Sequence, residues 1–222
     1  PCLEVDPRIL DMLDFALDMY ELSGGRVNVA MGSVLSIWHK YRPFGMASPE
    51  DASLPSMEQL QDAAKHPSPE SLVIEREKGT VGISDPEMTL DVGAIAKGYA
   101  VEMIAQSLEE QGITGYVLNV GGNVRTIGLR GDGTPWAVGI EDPDDPEGYR
   151  EILDLSDASL VTSGSYQRYY VVNGKNYHHI IDPDTLMPAA YYVSVSIVCR
   201  SSALADGLST ALFSMPVEEG MA

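Results

Sequence analysis

Cysteine is scarce in this chain, and its scarcity excludes two kinds of protein architecture. Only Cys2 and Cys199 occur among the 222 residues. Two cysteines cannot form the disulfide framework of a small secreted domain or a cysteine-based metal cluster. Cys199 falls within a strand-like stretch and is expected to be a small buried residue, whereas Cys2 lies near an exposed end. The sequence leaves open whether the two form a disulfide.

Positive charge is also scarce. The chain has 14 Lys and Arg against 33 Asp and Glu, which gives a net charge of −19. This balance disfavours nucleic acids and anionic membrane surfaces as partners. It also opposes a phosphate ligand, because two like charges about 4 Å apart repel by roughly 4 kcal/mol at an effective dielectric constant near 20. A phosphate site here therefore requires a metal ion, a helix end or a local Lys or Arg.

Long apolar runs, repeats and low-complexity segments are missing as well. No run approaches the roughly 18 apolar residues of a membrane-spanning helix, and no signal peptide is visible. The hydrophobic content of 44% is typical of a globular domain with a buried core. Because neither Pro1 nor Ala222 resembles a native chain end, we expect this sequence to belong to a longer precursor.

Hydrophobic periodicity predicts few helices and many short strands. Helices are predicted at residues 7–22, 57–65, 94–111 and 203–215. Strands are predicted at residues 72–77, 80–83, 88–91, 115–120, 123–129, 136–140, 151–155, 159–162, 168–172, 179–181 and 192–199. Residues 27–37 are predicted to form a strand-and-turn region, and residues 43–55 a polar loop. Recurrent hairpin turns favour an α+β fold with mostly antiparallel sheets over a doubly wound parallel sheet.

The segment of residues 89–112 is the most informative part of the chain. A short strand ends at Asp91, a turn containing Gly93 follows, and a helix begins near Lys97. A helix N-terminus suits an anion, and Asp91 beside it could hold a divalent cation or a ribose-like hydroxyl. The segment therefore suggests a phosphate-bearing ligand with a metal ion. An ordinary strand–helix turn, with Asp91 as a helix cap, is the alternative.

Two further clusters suit contacts with a ligand. The glycines of Asn119-Val120-Gly121-Gly122-Asn123 allow the backbone to approach a ligand closely, and a bulge or tight turn is the alternative explanation. The hydroxyl groups in residues 162–170 could donate to phosphate oxygens, or could belong to a polar turn that leads into a strand.

Two more clusters contain residues suited to catalysis or metal binding. His179, within His178-His179-Ile180-Ile181-Asp182-Pro183, is a candidate general base, although a histidine bonded within a turn is an equal alternative. Asp206 and Thr210 are one helical turn apart and face the same way, so they could share a hard cation. A capping Asp near the helix start is the alternative.

In this order, the clusters resemble the ApbE family of FAD:protein FMN transferases, over roughly residues 3–216. The motifs that carry the resemblance are Asp91-Val92-Gly93-Ala94-Ile95-Ala96-Lys97-Gly98-Tyr99, Asn119-Val120-Gly121-Gly122-Asn123, Ser163-Gly164-Ser165-Tyr166, His179-Ile180-Ile181-Asp182-Pro183 and Ala205-Asp206-Gly207-Leu208-Ser209-Thr210. The resemblance implies a single domain over residues 1–222 with an α+β, T-fold-type architecture. It also implies that the family's opening strands lie before Pro1 and its closing strand after Ala222.

The resemblance further implies an activity: Mg²⁺-dependent transfer of FMN from FAD to a Ser or Thr hydroxyl of an acceptor protein, with release of AMP. FAD hydrolysis to FMN and AMP is the near alternative, and a flavin-binding carrier without turnover is a third. The acceptor would carry a flavinylation motif, as a membrane redox-pump subunit does. Family members usually work outside the cytoplasmic membrane, often as lipoproteins, so an extracytoplasmic, membrane-anchored protein is expected.

Roles for individual residues also follow from the resemblance alone. The metal would be held by the backbone carbonyl of Ala94 and by the side chains of Asp206 and Thr210, and His179 would activate the acceptor hydroxyl. The residues expected against FAD are Asp91, Lys97, Ile181, Arg26, Val27 and Asn28. One position departs from the family pattern: Leu186 stands where a Gly is usual, and we expect it to alter the turn that follows Asp182.

Overall fold

The structure is a computed structural model that describes residues 2–221, and of residue 146 only the backbone. The chain divides into two compact units. The first contains the residues up to Gly93 together with Ser165–Ala190, and the second contains Ala94–Gly164 together with the residues from Tyr191 onward. The single domain expected over residues 1–222 stays a prediction, and the strands expected beyond Pro1 and Ala222 lie outside the described residues.

Three α-helices belong to the first unit. They are α1 (Pro7–Leu22), α2 (Gly32–Ala47) and α3 (Met57–Ala63), accompanied by 3₁₀ turns at Pro49–Asp51, Pro69–Ser71 and Arg76–Lys78. The start of α1 follows from its sequence, because Asp6 accepts the N–H of Arg8 and Pro7 occupies the first turn. A capping box between Ser56 and Gln59 starts α3 in the same local way.

Two small antiparallel sheets complete the first unit. Their strands are β1 (Cys2–Glu4), β2 (Leu72–Glu75) and β3 (Thr80–Ile83) in one sheet, in the order β1-β3-β2, and β9 (Tyr169–Val172) with β10 (Lys175–His178) in the other. The second sheet packs on α2, where the ring of Tyr170 lies against Gly45. The segment after β10, which includes His179, therefore follows a strand pair that is packed against α2.

The predictions for residues 27–37 and 43–55 are wrong, because α2 runs from Gly32 to Ala47. Val34 and Trp38 are fully buried, and Trp38 Nε1 donates to the carbonyl of Leu186 at 3.1 Å. This tertiary packing overrides Pro43, which lies inside the helix and disfavours it locally. Two predicted strands, residues 88–91 and 179–181, are reduced to the isolated bridges Met31–Thr89 and Ile181–Pro188.

The second unit pairs antiparallel strands with two long helices. Its strands are β4 (Tyr116–Val120), β5 (Asn123–Ile127), β6 (Trp136–Asp142), β7 (Asp145–Leu155), β8 (Ser159–Gly164) and β11 (Ser194–Cys199). Its helices are α4 (Ala96–Glu110), α5 (Ser202–Phe213) and the short α6 (Val217–Gly220). One sheet has the order β11-β8-β5-β4, and β6 pairs with β7 separately. Helix α5 packs on α4 and on the sheet, so most of its residues are buried.

The predicted α+β class with mostly antiparallel sheets is confirmed, since every strand pair in the ladders is antiparallel. Cys2 and Cys199 are both free thiols, and Cys199 is partly rather than fully buried. No helix within residues 2–221 combines the length and the apolarity that a bilayer crossing requires.

Candidate active site

Asp206 is a buried acidic side chain of the second unit with two hydrogen-bond partners. It lies on α5, is 5% exposed, and its Oδ2 accepts the backbone N–H of Gly98 at 2.7 Å. Its Oδ1 accepts from Lys97 Nζ at 3.0 Å. Helix α4 begins without a side-chain cap of its own, so Asp206 supplies the acceptor that its first turn lacks. The helix N-terminus that was predicted to suit an anion is therefore occupied by the carboxylate of Asp206.

The donor set around Asp206 has the chemistry of a hard cation site. Thr210 follows one turn later on α5 and is partly buried, and Ala94 lies just before α4. A carboxylate, a hydroxyl and a carbonyl are all oxygen ligands of the kind that Mg²⁺ prefers. Asp206 Oδ1 keeps a free lone pair beside its bond to Lys97, since a carboxylate accepts up to about four hydrogen bonds. These residue types suit a hard cation such as Mg²⁺. Within the described residues no three His, Cys, Asp or Glu side chains converge on a metal position.

Asp91 closes a turn in the first unit. Its Oδ1 accepts the N–H of Gly93 at 2.8 Å, and its own N–H donates to the carbonyl of Val29 at 2.8 Å. The carboxylate is 21% exposed, and its Oδ2 lies 3.7 Å from Nδ1 of His39. Asp91 is therefore a turn residue rather than the helix cap of the alternative interpretation. Its second oxygen lies near His39, which no sequence motif singled out.

The two adjacent histidines differ in a way that only the structure reveals. His178 is fully engaged, because its Nε2 lies 2.8 Å from the carbonyl of Ala189 and its Nδ1 accepts the N–H of Ile180 at 3.2 Å. His179 has a buried Nδ1 with no hydrogen-bond partner. An unpartnered buried nitrogen is costly unless it bonds to something in the working state. The geometry therefore distinguishes His179 as the histidine with a nitrogen available for proton transfer.

Electrostatics around His179 keep its imidazole neutral. Burial lowers the pKa of His179 to about 4, and the positive charges of Arg168 and Arg42 act in the same direction. Burial and the charge of Arg168 also lower the pKa of Arg42, while Asp91 opposes them. Among the described residues, neither arginine forms an ion pair with a carboxylate. A local concentration of positive charge thus surrounds His179 in a chain of net charge −19. Neither arginine could be assigned to His179 from the sequence, because Arg42 and His179 are far apart along the chain and meet only through tertiary packing.

Arg26 and Ile181 lie in the same part of the first unit. Arg26 Nη1 is 2.7 Å from Asp184 Oδ2 and 3.4 Å from Asp182 Oδ1. Ile181 is 7% exposed and belongs to the core around Trp38. Arg26 therefore contacts the segment that follows His179. The side chain of Ile181 packs that segment against the core around Trp38.

Val27 and Asn28 have structural contacts that account for their residue types. Val27 is 1% exposed and its N–H donates to Ser23 Oγ at 2.9 Å, so its side chain is part of the core. Asn28 uses both ends of its amide, accepting the N–H of Ala30 at 2.9 Å and donating to the carbonyl of Pro67 at 3.1 Å. Their contacts with FAD stay a prediction.

Leu186 retains a backbone conformation that favours glycine. Its φ is 60°, its N–H donates to the carbonyl of Asp182 at 2.8 Å, and its side chain is 8% exposed in the core around Trp38. The expectation that Leu186 alters the turn stays a prediction. The leucine adopts a left-handed backbone that a glycine would adopt without strain. Burial of its side chain offsets that strain.

The two remaining motifs have structural explanations. Gly121 and Gly122, with φ of 55° and 83°, form the two-residue hairpin between β4 and β5, which supports the tight-turn interpretation. Ser163 Oγ lies 2.8 Å from Ser209 Oγ and joins β8 to α5.

Comparison with known proteins points to one family. The family model of the ApbE family matches residues 1–222. A Vibrio cholerae FAD:protein FMN transferase is 36% identical over 220 residues, which is 98% of this chain and 64% of the relative. A Treponema pallidum protein of the same name is 35% identical over 234 residues, 98% of this chain and 62% of the relative. The chain thus spans about three fifths of the length of these curated relatives.

Solved structures give the same result. The ApbE protein of Thermotoga maritima has a TM-score of 0.85 at 33% identity, covering 97% of this chain and 68% of that one. The flavin transferase ApbE of Vibrio cholerae has a TM-score of 0.81 at 34% identity, covering 100% of this chain and 69% of that one. With the family model matched along the full sequence, and relatives that share both sequence and fold, this chain belongs to the ApbE family.

Proposed function

We propose that this protein transfers FMN from FAD to a Ser or Thr hydroxyl of an acceptor protein and releases AMP. The observation that carries the proposal is the buried, unpartnered Nδ1 of His179 in a neutral imidazole. Such a nitrogen can accept a proton at neutral pH without first losing one. The choice of FAD as the substrate rests on relatives named FAD:protein FMN transferase, which are up to 36% identical.

In the proposed reaction, the acceptor oxygen forms a bond to the FMN-side phosphorus. The bond from that phosphorus to the bridging oxygen breaks, and AMP leaves with the electron pair. The hydroxyl proton passes to His179, because an alcohol is a weak nucleophile until a base removes its proton. General-base assistance of this kind contributes roughly 10²–10⁴-fold in rate. The product is a phosphodiester between FMN and the acceptor side chain.

Magnesium would be held by Asp206, Thr210 and the carbonyl of Ala94. When bound, Mg²⁺ neutralises pyrophosphate charge and makes phosphorus more electrophilic. Asp206 is prepared for this role by the N–H of Gly98, which fixes one carboxylate oxygen at 2.7 Å. Lys97 lies 3.0 Å from the other oxygen, so its ammonium group would be close to a phosphate bound beside Asp206.

Arg42 and Arg168 support an anionic substrate. Guanidinium groups bind phosphate well, and these two have no carboxylate ion-pair partner among the described residues, so both are available to an anion. Both act on His179 through their charge. They answer the repulsion expected between a phosphate ligand and a chain of net charge −19. In the proposal these arginines hold phosphate or an acidic group of the acceptor beside the base.

The acceptor is proposed to be a protein with a Ser or Thr flavinylation motif, such as a membrane redox-pump subunit. An extracytoplasmic location with a membrane anchor is likewise a proposal, and it rests on the family resemblance alone. Fractionation of cells that express the full-length protein tests the location.

One assay tests the reaction and separates it from its alternatives. The full-length protein is incubated with FAD, Mg²⁺ and the acceptor, and both AMP and in-gel flavin fluorescence of the denatured acceptor are measured. Transfer predicts equal amounts of AMP and covalently bound flavin. AMP without acceptor fluorescence indicates a pyrophosphatase that uses water, and FAD uptake without AMP indicates a carrier. Either result would overturn the proposal.

A further inference from the structure

Glu102 is a buried acid that the proposed chemistry does not use. It lies on α4, is 8% exposed, and its Oε2 accepts the backbone N–H of Ser202 at 2.7 Å. Its other oxygen accepts from Gln106 Nε2 at 3.2 Å, and Arg125 Nε is 3.6 Å from Oε2. Acids are almost never buried to this degree unless they have partners. Glu102 is therefore held in one position by three neighbours.

The residue that Glu102 contacts is the first residue of α5. The N–H groups of a first helical turn have no partners within the helix, and a carboxylate beside them is stabilised by the helix dipole. Ser202 is fully buried, and its Oγ also donates to Asn123 Oδ1 at 2.5 Å. Glu102 and Asn123 thus fix the start of α5 from α4 and from β5.

The contacts between α4 and α5 are reciprocal. Asp206 on α5 accepts an N–H from the first turn of α4, and Glu102 on α4 accepts an N–H from the first turn of α5. Asp206 lies about one helical turn past the start of α5, and Glu102 lies nearly two turns past the start of α4. Because Ser202 and Asp206 are separated by four residues, the contact that fixes the first also sets the axial position of the second.

We propose that Glu102 is a positioning residue: by holding the N-terminus of α5 at Ser202, it sets the placement of Asp206 for metal binding. This inference rests on the proposed function, since Asp206 acts there as a magnesium ligand. Residues behind metal ligands orient them, and their loss typically weakens metal binding by about 10–100-fold. Glu102 acts through the backbone of α5, so its loss falls at the lower end of that range.

Manganese provides a readout that is independent of activity. The free Mn²⁺ signal in electron paramagnetic resonance decreases as the ion binds, so a titration of the full-length protein gives a dissociation constant for Mn²⁺. Glu102→Ala is expected to raise that constant about tenfold. Glu102→Gln keeps an oxygen that can accept from Ser202 N–H, and it is expected to stay within about threefold of wild type.

Leu155→Ala is the matched control for loss of stability. Leu155 is 8% exposed in a separate core of the second unit, formed with Val124, Val138 and Leu160. This variant should lower the unfolding midpoint and leave Mn²⁺ binding unchanged. The inference is overturned if Glu102→Ala binds Mn²⁺ like wild type, or if Leu155→Ala weakens binding equally.

Two further outcomes of the Mn²⁺ titration test the positioning role of Glu102. If Glu102→Ala does not fold, Glu102→Gln decides. Binding within about threefold of wild type is expected, and weaker binding would contradict a role through the acceptor oxygen. If the wild-type protein takes up no Mn²⁺, the metal proposal fails and this inference fails with it. If wild type binds Mn²⁺ and Glu102→Ala binds it equally tightly, only this inference fails.

Discussion

The backbone N–H of Gly98 donates to Asp206 Oδ2 at 2.7 Å, across 108 residues of sequence. The same contact explains why position 98 is a glycine. A Cβ on Gly98 would lie 2.4 Å from Asp206 Cβ and 2.4 Å from the carbonyl oxygen of Ser202. The two helices approach so closely that a side chain at position 98 would separate them. The proposed metal ligand is therefore held by helix packing as well as by a hydrogen bond.

Gly98→Ala should destabilise the protein even though alanine favours helices. Alanine gains about 1 kcal/mol of intrinsic helix propensity, but the clash with Asp206 and Ser202 costs more, so we expect a net loss of about 1–3 kcal/mol in the free energy of unfolding. Urea denaturation measures it. Gly131→Ala is the matched control, since a Cβ there meets nothing within 4 Å. Equal stability of the two variants would show that the helices are not closely packed at Gly98.

Substitution of Asp206 should separate its structural role from metal binding. Asp206→Ala leaves the N–H of Gly98 and the ammonium of Lys97 without their acceptor, which costs about 1–3 kcal/mol of unfolding free energy. Asp206→Asn keeps an oxygen for Gly98 and should recover most of that stability. Both variants are expected to lose Mg²⁺-dependent turnover, because neither has the carboxylate. Normal turnover by Asp206→Asn would exclude Asp206 as the charged metal ligand.

The neighbouring histidines should respond in opposite ways. His179→Ala is expected to retain FAD binding and lose transfer by roughly 10²–10⁴-fold, because it removes the proposed base. His178→Ala removes two hydrogen bonds from a buried turn and should instead lower the unfolding midpoint. Calorimetry of FAD binding, the AMP assay and thermal unfolding on both variants make the comparison. Loss of FAD binding in a stable His179→Ala variant would indicate a binding role for His179.

The low pKa of His179 predicts the acid limb of the rate profile. Since its pKa is lowered to about 4, the base form persists well below the usual histidine range. The rate constant kcat/KM, which reports the free enzyme, should therefore fall with a midpoint near pH 4 rather than about 6.5. A midpoint near 6.5 in an enzyme that stays folded would contradict the burial of His179 in the working state.

The same pKa makes stability depend on pH. Between about pH 4 and 6.5 the unfolded chain binds a proton at His179 that the folded chain does not, so the free energy of unfolding rises with pH in this window and is fully gained above about 6.5. Burial lowers the pKa of His178 too, which adds a contribution of the same sign. His179→Ala should flatten, but not abolish, the slope. An unchanged slope would mean that His179 is protonated in the folded state.

Position 186 should prefer glycine over alanine. Both Leu186→Ala and Leu186→Gly lose a buried side chain, which costs about 2–5 kcal/mol of unfolding free energy. Glycine relieves the left-handed backbone, whose φ is 60°, by about 1–2 kcal/mol. We therefore expect Leu186→Gly to be the more stable of the two in urea denaturation. Greater stability of Leu186→Ala would show that the backbone is not left-handed there.

Local signals made part of the fold predictable. Helix α1 matches its predicted bounds of residues 7–22 because its start and end are determined by Asp6, Pro7 and the glycines that follow Ser23. The hairpin at Gly121 and Gly122 was an open alternative for the same reason, since paired glycines favour its positive φ angles. Such features depend on a few neighbouring residues, which the sequence shows directly.

Long-range packing made the rest unpredictable. Helix α2 contains Pro43 and starts without a side-chain cap, so its local sequence favours a loop. The helix forms because it buries Trp38. The site shows the same division. Asp206 and His179 could be selected from sequence, but Glu102 and Arg168 could not, because their partners lie on elements that the sequence does not place.

The most direct test of the account is calorimetry of FAD binding to the full-length protein, with Mg²⁺ present and after its removal with EDTA. FAD is expected to bind when Mg²⁺ is present and to bind weakly or not at all without it, and Asp206→Asn is expected to show no response to Mg²⁺. Absence of FAD uptake by the intact protein with Mg²⁺ present would contradict the account.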